Sequence, residues 1–329
     1  MTVVSSTAST EMPWKTAGPK SVPQAFPYQG SKRLLAPQIL SLFPDGGVSR
    51  LIEPFAGSGA ISLAARYYGL ASSILLSDVN EPLMEMWRLI IEDPERLVGE
   101  YARMWNEQLA DPRGYYLSIR DKFNATHEPA LLLYLLCRCV KAAVRYSQKT
   151  GDFNQGADHR RLGAKPHNIA MRIAAASGLM QGAKVEACGY EEPLVNADAD
   201  DLVYLDPPYQ GTSDVPDHRY LKGLQRDVFV DVLQKAVDNK VSFVVSYDVV
   251  TDDNKYGYAL PSELGLTHRH IVAGLSSQAT LMGKSQTTVE SLYVSPALME
   301  RLGGPDRVDS CLGLGLEPMS QDALFSVVR

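Results

Sequence analysis

A short apolar run, Leu51-Ile52-Glu53-Pro54-Phe55, leads through Ala56 into the turn Gly57-Ser58-Gly59, and a second apolar run, Ile74-Leu75-Leu76-Ser77-Asp78, follows. The residues between them, 60–68, have the pattern of a helix. Strand, glycine turn, helix and strand in that order predict a right-handed parallel βαβ unit, which commits the chain to an α/β fold. Gly57 and Gly59 let the backbone come close to a ligand where such sheets bind nucleotides, although a tight strand-to-helix connection wants glycine as well. The loop is shorter than a GxGxxG fingerprint and lacks the Lys-Ser/Thr of a phosphate-binding loop. Asp78 closes the second strand, where its carboxylate can accept from two ribose hydroxyls. Asp78 or Asn80 can equally cap the next helix.

The rest of the sheet has to come from further along the chain. Residues 184–188, 201–205 and 241–246 read as strands, and 268–273 with 289–294 reads as a closing pair. Between the two parts, 81–109 and 129–144 have helical patterns, and Lys149-Thr150-Gly151-Asp152 is a turn or hairpin. The expected organisation is a flexible tail over 1–22, a discontinuous catalytic domain over 23–80 and 185–298, an inserted domain over 81–184, and an extension over 299–329. At 329 residues, one catalytic domain with a large insertion fits the length.

Net charge is −6, yet residues 138–184 carry nine Lys/Arg (138, 141, 145, 149, 160, 161, 165, 172 and 184) against Asp152 and Asp158. Such a local basic footprint serves either a solvated surface or a nucleic-acid partner. No apolar stretch is long enough to span a membrane, and the N-terminus has no secretory design. The four cysteines, Cys137, Cys139, Cys188 and Cys311, lack metal or disulfide spacing. A cytoplasmic protein with reduced thiols and no metal site is expected.

The sharpest motif is Asp206-Pro207-Pro208-Tyr209, directly after the apolar run Val203-Tyr204-Leu205. Two prolines stop ladder pairing and fix the backbone at the carboxyl edge of the sheet. The Asp206 carboxylate and the Pro207 carbonyl can then face one small volume, with Tyr209 available to stack on a planar ring. A pair of acceptors suits an amino group and suits neither a carbonyl oxygen nor an unprotonated ring nitrogen. Binding both hydrogens of an exocyclic amino group favours a more pyramidal, more nucleophilic nitrogen. A sulfonium methyl donor needs no metal and no covalent intermediate.

In these motifs and their order, over roughly residues 25–296, the sequence resembles the Dam-like, D12 or alpha-group class of adenine-N6 DNA methyltransferases. Phe26-Pro27-Tyr28-Gln29-Gly30-Ser31-Lys32 is similar to that family's aromatic-x-Gly-x-Lys segment, and Glu53-Pro54-Phe55-Ala56-Gly57-Ser58-Gly59 to its EPFxGxG loop. Leu76-Ser77-Asp78-Val79-Asn80 looks like the ribose-binding segment, and Cys188-Gly189-Tyr190 looks like the one flanking the cofactor adenine. Arg145-Tyr146-Ser147-Gln148-Lys149-Thr150-Gly151-Asp152-Phe153-Asn154 resembles the target-recognition hairpin. The segment 283–292, with Lys284, resembles a family ending near the target-base pocket.

The resemblance implies a Rossmann-like S-adenosylmethionine-dependent methyltransferase sheet with a mainly helical target-recognition insertion. The cofactor would be held by Tyr28, Lys32, residues 53–59, Asp78, Gly189, Tyr190 and Asp206. DNA would be met by Arg145, Tyr146, Lys149, Asn154, Arg160, Arg161 and Lys284, with Tyr146 filling or flanking the duplex. It also implies base flipping from double-stranded DNA, a prokaryotic or phage origin and a monomer, and it admits a separately acting restriction endonuclease as partner. Cytosine-N4 methylation, RNA methylation and a catalytically inactive DNA-binding protein are the alternatives. A dehydrogenase reading of the glycine loop would demand nicotinamide binding. His159, His268 and His270 read as loop or edge-strand residues, and Trp87 and Trp105 as core.

Overall fold

The computed structural model describes residues 22–147, 149–208, 224–251, 254–256, 259–275 and 287–313. The tail expected over 1–22 therefore lies outside them, except for Val22. After a short helix α1 (Ala36–Leu40), strand β1 (Val48–Glu53), helix α2 (Ala60–Tyr67) and strand β2 (Ala71–Ser77) form the predicted parallel unit, with Leu51 opposite Ile74. Five helices follow: α3 (Glu81–Glu92), α4 (Pro94–Glu107), α5 (Pro112–Thr126), α6 (Pro129–Arg138) and α7 (Pro166–Met180). The chain then re-enters the sheet as β3 (Lys184–Glu186), and α8 (Glu191–Val195), β4 (Leu202–Leu205), α9 (Arg226–Asp238) and β5 (Phe243–Thr251) come next. Strands β6 (Asn254–Tyr256), β7 (Thr267–Leu275) and β8 (Thr287–Val294) complete it, before helices α10 (Pro296–Leu302) and α11 (Pro305–Leu312).

The strand order is β3-β2-β1-β4-β5-β8-β7, with β6 paired to β5. Strands β1 to β5 are parallel, and β8 runs antiparallel between β5 and β7. Alternation along each strand builds two cores. Leu51, Ile74, Leu76, Leu202, Tyr204 and Val244 join the larger one with α1 to α7. Ile52, Leu75, Val203, Leu205, Phe243 and Val245 join the smaller one under α8 and α9. A sheet covered on both faces explains why its central strands read as continuous apolar runs.

Proline sets where the helices begin. The expected single helix over 81–109 is two, because Asp93 before Pro94 leaves the helical region (φ −144°, ψ 60°) and caps α4 by accepting from the Arg96 N–H. Asp111-Pro112 repeats this at α5, a helix the sequence pattern missed because only Tyr116, Ile119 and Phe123 are buried on it. The helix expected to reach 144 stops at Arg138. Cys139 turns extended, Lys141 and Ala142 take left-handed φ of 60° and 51°, and Cys139 bridges to Ala157. Core packing runs without a break from the sheet into α3, α4 and α7. Helix α10 straddles the boundary expected at residue 298.

Candidate active site

Strands β2, β1 and β4 are neighbours, so their carboxyl ends bring Ser77-Asp78, Glu53 and Leu205-Asp206 to one edge of the sheet. There they open on a cavity of about 720 Å³, a size suited to a nucleoside-like ligand. Of the residues expected from sequence, Tyr28, Lys32, Glu53, Phe55, Ala56, Gly57, Ser58, Asp78, Gly189, Tyr190, Asp206 and Pro208 line it. Pro54, Gly59 and Pro207 are buried beside it, off the lining. Tyr209 and Lys284 lie outside the described residues. The Phe55 and Tyr190 rings stack on each other, centroids 5.2 Å apart and planes 24° apart, as one aromatic wall.

The polar end of the cavity is organised by Lys32. Its Nζ lies 3.1 Å from Asp206 Oδ1 and 3.2 Å from Glu290 Oε1, with all three side chains largely buried. Burial works against the ammonium, but the two carboxylates outweigh it and hold its pKa above the ordinary lysine value. Glu290 sits on β8 inside the segment resembling the family's ending, yet the motif reading gave it no role. Glu290 is the only charged residue of that strand, but nothing local in the sequence ties it to Lys32. Its Oε2 is buried and has no hydrogen-bond partner among the described residues. Behind Asp206, Tyr204 and Ser246 share a buried hydroxyl–hydroxyl hydrogen bond of 2.9 Å.

Two further acids are shifted toward neutrality. Burial raises Glu53 to about 7, against hydrogen bonds from the Ser62 N–H and hydroxyl, and the Asp206 charge pushes the same way. Burial raises Asp78 to about 6, opposed by N–H groups of Asn80 and Gly57 at 3.0 and 3.2 Å. The cap question left open by the sequence thus resolves: Asn80 Oδ1 accepts from the Leu83 N–H at the start of α3, and Asp78 faces the cavity.

The two loop glycines serve different ends. Gly57 has φ 46°, and a Cβ there would come 3.1 Å from the Tyr28 ring at the cavity wall. Gly59 has φ 57°, and its Cβ would come 2.8 Å from Trp87, so helix packing demands this glycine. Trp87 is fully buried and donates from Nε1 to the Gly57 carbonyl at 3.0 Å, fastening α3 to the loop.

The basic stretch divides. Tyr146 pairs with Phe153 across a hairpin whose ends are tied by Asn154 N–H to Arg145 O at 2.9 Å, and Gly151 supplies a left-handed turn residue at φ 75°. Arg145, Lys149, Asn154, Arg160 and Arg161 are exposed. Tyr146 is buried, with its hydroxyl on Asn80. Arg160 and Arg161 line a second cavity, about 960 Å³, with Lys141, Arg172 and Tyr28. Tyr28 is therefore a wall common to both cavities.

The sheet, its antiparallel β8 and the acids at three adjacent strand ends define a Rossmann-like methyltransferase fold. Residues 28–277 match the D12 class N6 adenine-specific DNA methyltransferase family, and the chain belongs to it. It is 27% identical to the retron Ec67 DNA adenine methylase of Escherichia coli over 278 residues, 82% of this chain and 90% of the relative. It is 26% identical to the type II methyltransferase M.MjaIII of Methanocaldococcus jannaschii, covering 56% of this chain and 68% of that one. With the DNA adenine methylase of Serratia marcescens it shares 27% identity over 55% of this chain and 65% of the relative. Among the described residues, no helix is long and apolar enough to cross a membrane.

Proposed function

We propose that the chain transfers a methyl group from S-adenosylmethionine to adenine N6 of a base flipped out of duplex DNA. One observation carries this reading: Asp206, at the end of β4, shares a single cavity with Asp78 and the Phe55–Tyr190 wall. The donor, when bound, supplies a methyl group on a sulfonium centre. The cavity's size, its aromatic wall and an acid at the end of β2 fit such a nucleoside. In this reading Asp78 accepts from the ribose hydroxyls, and Phe55 and Tyr190 pack against the adenine. Tyr28, Glu53, Ala56, Gly57, Ser58 and Gly189 close the remaining wall.

Asp206 and the Pro207 carbonyl accept the two hydrogens of the target amino group, and Tyr209 stacks on the base. Lys32 pairs with the Asp206 carboxylate, whose oxygens then act only as acceptors. Residues 81–184 form the recognition unit, in which Arg145, Lys149, Asn154, Arg160 and Arg161, joined by Lys284, meet the duplex. Expression in a methylation-free host followed by single-molecule sequencing tests the reading. N6-methyladenine at one recurring site, lost in Asp206→Ala, is expected. N4-methylcytosine without N6-methyladenine, or unmodified DNA, overturns it.

A further inference from the structure

Tyr146 differs from the rest of the basic hairpin. Its neighbours Arg145 and Lys149 are exposed, whereas Tyr146 is 5% exposed and packs edge-on against Phe153 at 6.0 Å. A hydroxyl carried to that depth needs an acceptor, and it donates to Asn80 Oδ1 at 3.3 Å. The same Oδ1 accepts from the Leu83 N–H at 3.4 Å. The Asn80 N–H in turn donates to Asp78 Oδ1 at 3.0 Å, while the Gly57 N–H donates to Asp78 Oδ2 at 3.2 Å. One run of hydrogen bonds thus joins the hairpin to both oxygens of Asp78 and to the glycine loop. A second tie lies close by: Gln29, on the cavity wall, donates its N–H to the Ala142 carbonyl at 3.0 Å.

We propose that Tyr146 is a positioning residue, holding the Asp78 carboxylate through Asn80 and so fastening the 145–154 hairpin to the cofactor grip. The proposal rests on the reading of Asp78 as a cofactor ligand. Asn80 is the lever because its side chain and its backbone N–H are both committed. If its Oδ1 loses the hydroxyl, only the Leu83 N–H still fixes it, and the turn that presents Asn80 N–H to Asp78 loosens. Asp78 then keeps its charge and burial but loses its fixed orientation. A tyrosine that merely filled the core would act on stability alone.

Tyr146→Phe keeps the ring and removes the hydroxyl. In the full-length protein, calorimetric affinity for S-adenosylhomocysteine is expected to fall roughly three- to ten-fold, the effect of one buried neutral hydrogen bond. Asp78→Asn should weaken S-adenosylhomocysteine binding, and adding Tyr146→Phe to it should weaken it no further. Wild-type affinity in Tyr146→Phe, with or without a lower melting temperature, overturns the proposal. So does a double variant in which the two losses multiply. Unchanged binding by Asp78→Asn is a separate outcome that removes the cofactor role of Asp78 and the proposal with it.

Discussion

The Lys32 ammonium lies 3.1 Å from the Asp206 carboxylate, although strands β1 to β4 all lie between the two residues in the chain. Glu290 flanks the same ammonium from β8 at 3.2 Å, so one cation holds two buried acids. Lys32→Met leaves those carboxylates facing each other without a counterion. Removing one partner from a buried ionic cluster costs about 3 kcal/mol or more, so the denaturant midpoint at pH 8 should drop. Methyl transfer should fall by about a hundredfold if Asp206 is the acceptor proposed above, because Lys32 no longer fixes the orientation of its carboxylate. Glu290→Gln should leave the Lys32–Asp206 pair and cost less than tenfold in rate, on the order of one neutral-for-charged hydrogen bond.

How far such relationships could be read beforehand varied with their locality. The βαβ unit, the glycine loop and the Asp206 segment were legible because each is a short run whose chemistry is local. Most of the cofactor residues named from those runs line the cavity. Gly59 falls outside because α3 brings Trp87 against it, a contact that no spacing reveals. Glu290 was illegible because its meaning depends on β8 inserting between β5 and β7. Helix α5 escaped because a three-residue buried stripe hardly alters a polar sequence.

Glu53 should make the protein less stable at alkaline pH. Its folded pKa, about 7, stands above the ordinary 4.5, so the folded state binds the proton more tightly. The stabilising contribution is complete below about 4.5 and is lost as pH rises through about 7. Glu53→Gln keeps an acceptor for Ser62 and removes the titration. Between pH 5 and 8.5, stability should move in favour of the variant by about 2–3 kcal/mol, measured by urea unfolding. Parallel pH curves for the two proteins would show that Glu53 ionises without cost.

The aromatic wall should discriminate ring from hydroxyl. Tyr190 stacks on Phe55 and also meets Phe229 edge-on at 5.3 Å, so its plane is fixed from two sides. Tyr190→Phe keeps that plane, whereas Tyr190→Ala removes it and frees Phe55. Loss of a stacked ring typically costs about 1–3 kcal/mol per base. S-adenosylhomocysteine affinity should therefore fall by about tenfold or more in Tyr190→Ala and remain near wild type in Tyr190→Phe. Equal losses in the two variants would place the contribution in the hydroxyl.

Arginines that look alike in the basic stretch should separate into a structural one and a binding pair. Arg138 is 3% exposed. Its Nε donates to Gln108 Oε1 at 2.6 Å, and its other nitrogens donate to the carbonyls of Asp158, Arg161 and Pro112. Gln108 Oε1 also accepts from Tyr134, and Gln108 Nε2 donates to the Leu162 carbonyl, so one guanidinium gathers α4, α5, α6 and the 158–162 loop. Arg138→Met strands several buried acceptors, each worth about 1–3 kcal/mol when left unpaired, and should lower the melting temperature steeply. Arg160 and Arg161 are exposed on the wall shared with Tyr28, and their joint replacement by Ala should leave the melting temperature within a few degrees. It should instead weaken DNA binding and flatten its dependence on salt by about two in the log–log slope, roughly 0.9 for each phosphate that the protein no longer neutralises. A wild-type slope in the double variant would mean that the duplex does not run along this wall.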